Sequence, residues 1–139
     1  MDGRYDLTVA ANATEGFQYL TKEVFDIIIV DIRIPPGESQ EFKNIYYNSE
    51  QGKINSRLGM ELLRFLLSPD KSAMNFSRST LSWVNSQKIG VFTKEGENEL
   101  KEDLENLNIQ VYQQKTAGIS NITLLNIAEE ILNQQDKSI

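Results

Sequence analysis

One segment, FDIIIVDIRIPP at residues 25–36, carries the clearest structural signal in this sequence. Residues 27–30 are consecutive apolar residues that do not alternate with polar ones, which is typical of a strand covered on both faces of a parallel sheet. A helix explains the run less well, because it is short, β-branched and closed by Pro35 and Pro36. Asp31 follows the run, at the sheet edge where α/β proteins bind ligands, although aspartate is also a common turn former.

Size and composition indicate an ordinary globular domain. The chain has 139 residues, of which 40% are hydrophobic and 24% are charged, enough for one two-sided core. It has neither cysteine nor histidine, which excludes disulfides, thiolate metal sites and a Ser-His catalytic triad. The net charge of −6 argues against a nucleic-acid surface, and no apolar run has the length of a membrane span. We therefore expect one cytoplasmic domain over residues 1–139, with no nucleic-acid or membrane partner.

The rest of the chain alternates predicted strands and helices. Tyr5–Ala10 alternates apolar and polar residues, which predicts a half-exposed edge strand. The further elements, in chain order, are helix Ala13–Glu23, strand Phe25–Asp31, helix Leu58–Leu67, a short helix near Leu81–Val84, strand Lys88–Thr93, helix Glu97–Leu107, edge strand Ile109–Gln113 and a last helix capped by Ser120. This order predicts a flavodoxin-like α/β fold, an open parallel sheet of about four strands with helices on both faces.

The predicted helices carry local signals of their own. Asn12 and Glu15 resemble a capping box at the start of the first helix, with Asn in place of Ser or Thr. Apolar residues at helical spacing define the faces that we expect to be buried. These faces are Ala13, Phe17, Leu20 and Val24 in the first helix, Leu100, Leu104 and Leu107 in the helix after Thr93, and Leu124, Ile127, Ala128 and Ile131 in the last helix.

Two polar insertions interrupt this pattern, at about residues 37–56 and 70–87. The first is long for a connection in a compact domain and contains a small aromatic cluster, Phe42, Tyr46 and Tyr47. We expect it to be a mobile surface loop. The alternative is a partner-binding loop anchored by those aromatic residues.

Three predicted strands end beside side chains that form a chemical set, namely Asp31, Thr93 and Lys115. If the strands are parallel, these side chains meet at one edge of the sheet. They then provide a carboxylate nucleophile, a hydroxyl that can bond a transferred phosphoryl oxygen, and a cation that can pair with it. A carboxylate can accept a phosphoryl group when a metal ion neutralises the charge.

The order and spacing of these residues resemble the receiver domain of two-component response regulators. The similar segments are residues 25–35 for the phosphoacceptor strand, 59–63 for the start of the third helix, 91–93 for the hydroxyl position and 111–115 for the last strand. The resemblance implies Asp31 as phosphoacceptor, Thr93 and Lys115 as its catalytic partners, and Tyr112 as the aromatic switch. It also implies phosphorelay signalling, with a histidine kinase or an output protein as the partner.

The sequence departs from the family pattern in several places. Thr116 follows the lysine where the family has a proline, and Lys94 stands where a small residue is usual. The chain starts at what resembles the second strand, so the first strand and helix, with the acidic pair that holds Mg²⁺, have no counterpart. Asp2 and Asp6 lie at the wrong end of their strand. Asp31 alone is a weak Mg²⁺ ligand, so no cofactor is expected unless upstream sequence or a partner chain supplies the acidic pair.

Three functions fit these observations. The foremost is a degenerate receiver, or pseudo-receiver, which binds proteins and is not an enzyme. The second is a phosphorylatable receiver with Asp31 as acceptor. The third is a flavodoxin-like enzyme or small-ligand binder, which is disfavoured because residues 10–13 contain no glycine to cradle a phosphate.

The expected sheet also predicts self-association. In the family, the first strand lies between the strands that resemble Tyr5–Ala10 and Phe25–Asp31. Without it, either these two strands pair directly or another chain donates a strand. Direct pairing leaves an apolar face without its helix, so we expect a two-fold homodimer.

Overall fold

A computed structural model of the chain describes residues 6–47, 57–68, 81–116 and 121–137. These residues form five α-helices and an open sheet of three parallel strands. The elements are α1 Ala13–Lys22, β1 Ile28–Val30, α2 Gln40–Tyr47, α3 Leu58–Leu67, β2 Ile89–Thr93, α4 Glu97–Asn106, β3 Val111–Gln114 and α5 Asn121–Lys137, with a 3₁₀ turn at Ser86–Lys88. The predicted α/β class is confirmed. In the described ranges, no helix combines the length and apolarity needed to cross a bilayer.

The strands lie in the order β1-β2-β3. Val30 pairs with Val91 of β2, and Thr93 of β2 pairs with Gln114 of β3. All residues of β2 are buried, as expected for a central strand, whereas β3 ends in the exposed Gln113 and Gln114. In the described part of the chain, this order makes β1 an edge strand, although its residues form an apolar run of the kind found inside sheets.

A fourth strand is not confirmed in the described part of the chain. Asp6–Ala10 is not in a strand, and Leu7 and Val9 are 78% and 69% exposed. An alternating segment becomes a strand only when a neighbouring edge accepts its backbone hydrogen bonds. Among the described residues, β1 is hydrogen-bonded in the sheet to β2 alone, so this segment lies beside the sheet without joining it.

Helices cover both faces of the sheet. The larger core lies on one face, where residues of α1, α2, α3 and α4 pack against β1 and β2. The ring of Phe17 lies 5.8 Å from that of Phe42 and 6.0 Å from that of Phe65, which joins α1, α2 and α3. The second core lies on the other face, where Ile127 and Ile131 of α5 pack with residues of β2 and β3.

The local predictions for the helices are mostly confirmed. The Asn12 side chain accepts a hydrogen bond of 2.9 Å from the Glu15 amide, as in a capping box. The helix Leu58–Leu67 has the predicted bounds. The buried residues of the predicted faces are Ala13 and Leu20 in α1, Leu100 and Leu104 in α4 with Leu107 directly after it, and Ile127, Ala128 and Ile131 in α5.

Three local predictions are wrong. Val24 is 68% exposed because α1 ends at Lys22, and Leu124 is 37% exposed on the flank of α5. Residues 81–84 form a turn closed by a hydrogen bond of 3.0 Å from the Val84 amide to the Leu81 carbonyl, and not a helix. Ser120, the expected cap of α5, lies outside the described residues.

The first polar insertion is partly helical. α2 lies within it, and Phe42 is only 1% exposed because it packs against Phe17. The expectation of a loop is therefore wrong for this part, because Phe42, Ile45 and Tyr46 recur at helical spacing and turn one face to the core. Tyr47 is 67% exposed. Residues 48–56 of the first insertion and residues 69–80 of the second lie outside the described residues. The mobility predicted for the first insertion stays a prediction.

Candidate functional site

The carboxyl ends of the three parallel strands meet at one end of the sheet. Asp31 follows β1, Thr93 ends β2, and Lys115 follows β3. The Lys115 ammonium nitrogen lies 2.7 Å from Oδ2 of Asp31, and the Lys115 amide donates a 2.7 Å hydrogen bond to the Thr93 carbonyl. The structure therefore places the three predicted site residues together. Asp31 and Lys115 are joined through their side chains, and Thr93 is joined to Lys115 through the backbone.

Both carboxylate oxygens of Asp31 have partners. Oδ2 pairs with Lys115, and Oδ1 accepts a hydrogen bond of 3.0 Å from the Arg33 amide, which is a local turn contact. The side chains of Asp31 and Lys115 are 31% and 35% exposed, so water reaches the ion pair. The Lys115 ammonium also lies 5.3 Å from the centre of the Phe92 ring. These contacts hold the carboxylate in one orientation with a fixed counter-charge.

Gly59, at the start of α3, packs against the backbone of Asp31. Its amide donates a hydrogen bond of 2.9 Å to the Ile32 carbonyl at the start of α3. A Cβ atom at this position would lie 2.1 Å from the Asp31 carbonyl oxygen, far inside van der Waals contact. The first turn of α3 can therefore approach the residues after β1 only because residue 59 has no side chain.

The Thr93 hydroxyl is enclosed. The residue is 0% exposed, and its Oγ1 accepts a long hydrogen bond of 3.5 Å from the Glu95 amide. A hydroxyl that is to bond a phosphoryl oxygen must be accessible from the site. In this conformation, Thr93 can take that role only if the residues after β2 move.

Glu95 is the residue that the sequence analysis missed. It is 3% exposed, and its carboxylate contacts Arg33 at 3.0 Å and Arg57 at 2.9 Å. This cluster joins the connection after β1, the start of α3 and the connection after β2. Glu95 lies outside any periodic segment, and its partners Arg33 and Arg57 come from two segments that are distant in sequence. The sequence offers no pattern that predicts its burial.

Tyr112 is tied to the same cluster. Its hydroxyl donates a short hydrogen bond to the Glu95 carbonyl. Burial raises the pKa of the Tyr112 hydroxyl, and the nearby carboxylates of Glu97, Glu95 and Glu99 raise this pKa further. The predicted switch residue is therefore held as a neutral donor to the connection after β2.

The charges around the site favour acidic groups over cations. Among the described residues, the cationic side chains of Arg33, Arg57 and Lys115 are paired with two carboxylates, those of Asp31 and Glu95. Within the described ranges, no cluster of three or more potential metal-ligating side chains of His, Cys, Asp or Glu occurs. Comparison with family models, curated proteins and solved structures found no match of any of these three kinds.

Proposed function

We propose that this chain is a receiver-like signalling module of flavodoxin-like architecture that acts in the cytoplasm by binding other proteins. In this proposal, a histidine kinase or an output protein is the partner, and Asp31 serves as a structural anion and not as a phosphoacceptor. The single observation that supports it best is the Asp31 carboxylate itself. One oxygen pairs with Lys115 at 2.7 Å, and the other is bonded to the Arg33 amide.

Charge supports the proposal. Phosphoryl transfer to a carboxylate brings two anions together and needs a metal ion or equivalent charge to neutralise them. Mg²⁺ binds through one or two carboxylates in addition to phosphate oxygens and water. The charged side chains that contact Asp31 and Glu95 in the described chain are cations, and those cations repel Mg²⁺.

One observation favours the alternative, a phosphorylatable Asp31. The carboxylate is 31% exposed, and Lys115 lies where it can pair with a phosphoryl oxygen. This alternative requires further acidic ligands for the metal from outside the described residues. It also requires Thr93 to become accessible.

Phosphorylation by a small donor tests the proposal. The protein is incubated with acetyl phosphate and Mg²⁺, and its intact mass is measured. We expect no phosphoryl adduct on the original chain, on Asp31→Asn or on the matched variant Asp26→Asn, which changes an exposed aspartate before β1. An adduct that forms on the original chain and on Asp26→Asn, but not on Asp31→Asn, would establish the alternative.

A further inference from the structure

A groove runs along the outer edge of β1. Its volume is about 340 Å³. Its lining includes residues 27–30 and, from the segment before α1 of the same copy, Thr8 and Ala10. Leu20 of α1 and the α3 residues Leu62 and Leu66 also line it. The groove is therefore apolar along most of its length and is bordered by the β1 edge that carries no strand in the described chain.

Backbone chemistry favours a strand as the occupant of this groove. An edge strand presents a row of amide and carbonyl groups on its outer side, which another extended segment can pair with. A compact apolar ligand would fill the volume but would leave those groups without partners. Strand addition satisfies them and also places alternate side chains against the apolar lining.

The chain contains an extended segment of suitable length and chemistry. Asp6–Ala10 spans five residues, as does the β1 edge from Ile27 to Asp31. Its Leu7 and Val9 side chains are 78% and 69% exposed, and alternation places them on one side of the segment. Burial of these two apolar side chains against the groove lining favours addition of the segment to β1.

The charge at the end of the groove gives the segment a direction. Asp31, Arg33 and Lys115 line the groove where β1 ends. A segment that runs antiparallel to β1 places Asp6 at this end, where the cations Arg33 and Lys115 outnumber the single lining carboxylate of Asp31. A parallel segment would place the uncharged Ala10 there.

We propose that two copies of this chain exchange Asp6–Ala10, each copy adding this segment as an antiparallel strand to β1 of the other. The dimer is two-fold symmetric, and it closes both β1 edges at once. The inference goes beyond the proposed function, because it holds whether or not Asp31 accepts a phosphoryl group. It also specifies the segment and the groove for the homodimer expected from the sequence.

Sedimentation velocity in the micromolar range measures the dimer. We expect Leu7→Lys with Val9→Lys to raise the dimer Kd by about tenfold or more, the equivalent of about 1.4 kcal/mol. Tyr19→Glu, which places a charge in the groove lining, should do the same. The controls are Gln18→Glu, beside it on the exposed face of α1, and Tyr47→Lys, a change at a side chain that is 67% exposed and away from the groove. Both controls should stay within about twofold of the original Kd, while circular dichroism confirms that all variants fold.

Disulfide trapping separates exchange between copies from closure within one copy. The chain has no cysteine, so single cysteines can be placed freely. Thr8→Cys and Ile29→Cys lie at the middle of the two segments, and each is made in a separate chain. Mixing and oxidising the two chains should give a crosslinked heterodimer, whereas Gln18→Cys mixed with Ile29→Cys should not.

Four results would overturn the inference. The first is a protein that stays monomeric throughout the micromolar range, and the second is a Kd that Tyr47→Lys raises as much as the groove variants do. The third is a failure of the two single-cysteine chains to crosslink, and the fourth is a chain with both cysteines that forms a disulfide only within one copy. The last result would mean that Asp6–Ala10 pairs with β1 of its own copy. None of these results bears on phosphorylation of Asp31, which the mass measurement decides separately.

Discussion

The two edges of the sheet are built in different ways. At the β3 edge, Gln113 and Gln114 are exposed and polar, and the Gln114 side chain donates a hydrogen bond of 3.1 Å to the Lys94 carbonyl. Polar side chains on a short strand are a common protection against unwanted strand pairing. At the β1 edge, Ile28–Val30 are all apolar and border a groove. In the described part of the chain, a strand with the composition of an interior strand thus lies at an edge.

The same strand is firmly held at its carboxyl end. Asp31 is paired with Lys115, Gly59 packs against its backbone, and Arg33 is bound to the buried Glu95. β1 is therefore fixed by β2, by α3 and by ionic contacts, and its outer side carries no strand among the described residues. The site and the groove share Asp31, Arg33 and Lys115, so only a residue that belongs to one of them, such as Glu95 of the site, can be changed without altering the other directly.

The largest expected effect comes from a side chain added at Gly59, where α3 packs against the Asp31 backbone. In Gly59→Ala, the new methyl group collides with the Asp31 carbonyl, and the clash is with backbone that cannot rotate away. We expect a loss of about 3 kcal/mol or more in the free energy of unfolding. The control is Gly96→Ala, because a Cβ atom at Gly96 meets no atom within 4 Å. Urea denaturation measures both, and equal stability of the two variants would contradict the role given to Gly59.

A pair of isoleucine substitutions compares a fully buried position of the second core with a partly buried position of the same core on β1. Ile131 on α5 is 0% exposed against β2 and β3, whereas Ile29 of β1 is only partly buried. Truncation of a fully buried isoleucine to alanine costs about 2–5 kcal/mol, and less where water already reaches the side chain. We expect about 3 kcal/mol for Ile131→Ala and about 1 kcal/mol for Ile29→Ala by urea denaturation. Equal losses would mean that the β1 edge is already covered in solution.

Long apolar patterns made much of this fold predictable from the sequence. Leu58–Leu67 has five buried leucine or phenylalanine positions at helical spacing, and its bounds agree with the structure. The parallel order of the strands follows from alternating strands and helices, and it brings Asp31 and Lys115 to the same end of the sheet. These features depend on local periodicity and on general rules of topology.

The remaining features depend on neighbours that the local sequence does not reveal. Asp6–Ala10 has the alternation of a strand, but pairing needs an adjacent edge within reach. The sequence did not predict α2 because its composition is polar, and Phe42 is its one fully buried residue. The burial of Glu95 depends on Arg33 and Arg57, which reach it from two other segments. Tertiary contacts decided each of these cases.

The ionic cluster at the carboxyl end of β1 can be broken at Glu95, which is not among the residues that line the groove, although its partner Arg33 is. Glu95→Gln keeps the shape of the side chain but removes the counter-charge of Arg33 and Arg57. Loss of one partner from a buried pair costs several kcal/mol, but these arginines are 52% and 31% exposed and can turn to water. We therefore expect about 1–2 kcal/mol by urea denaturation. Glu102→Gln, at an exposed position of α4, should cost under about 0.5 kcal/mol, and a similar cost for both would contradict the cluster's role.

The smallest expected effect concerns Tyr112, which ties the β3 edge to the connection after β2. Burial first, and then Glu97, Glu95 and Glu99, raise the pKa of its hydroxyl above the ordinary value of 10.0. Because the folded state keeps this proton longer than the unfolded state, the stabilisation is complete below about pH 10 and is lost as the pH rises through the folded pKa. The phenolate absorbance of the original chain minus that of Tyr112→Phe should therefore rise at a higher pH than that of an exposed tyrosine. The same subtraction with Tyr47→Phe provides the reference, since Tyr47 is 67% exposed. A Tyr112 signal that rises together with this reference would show that the hydroxyl is not held against Glu95 in solution.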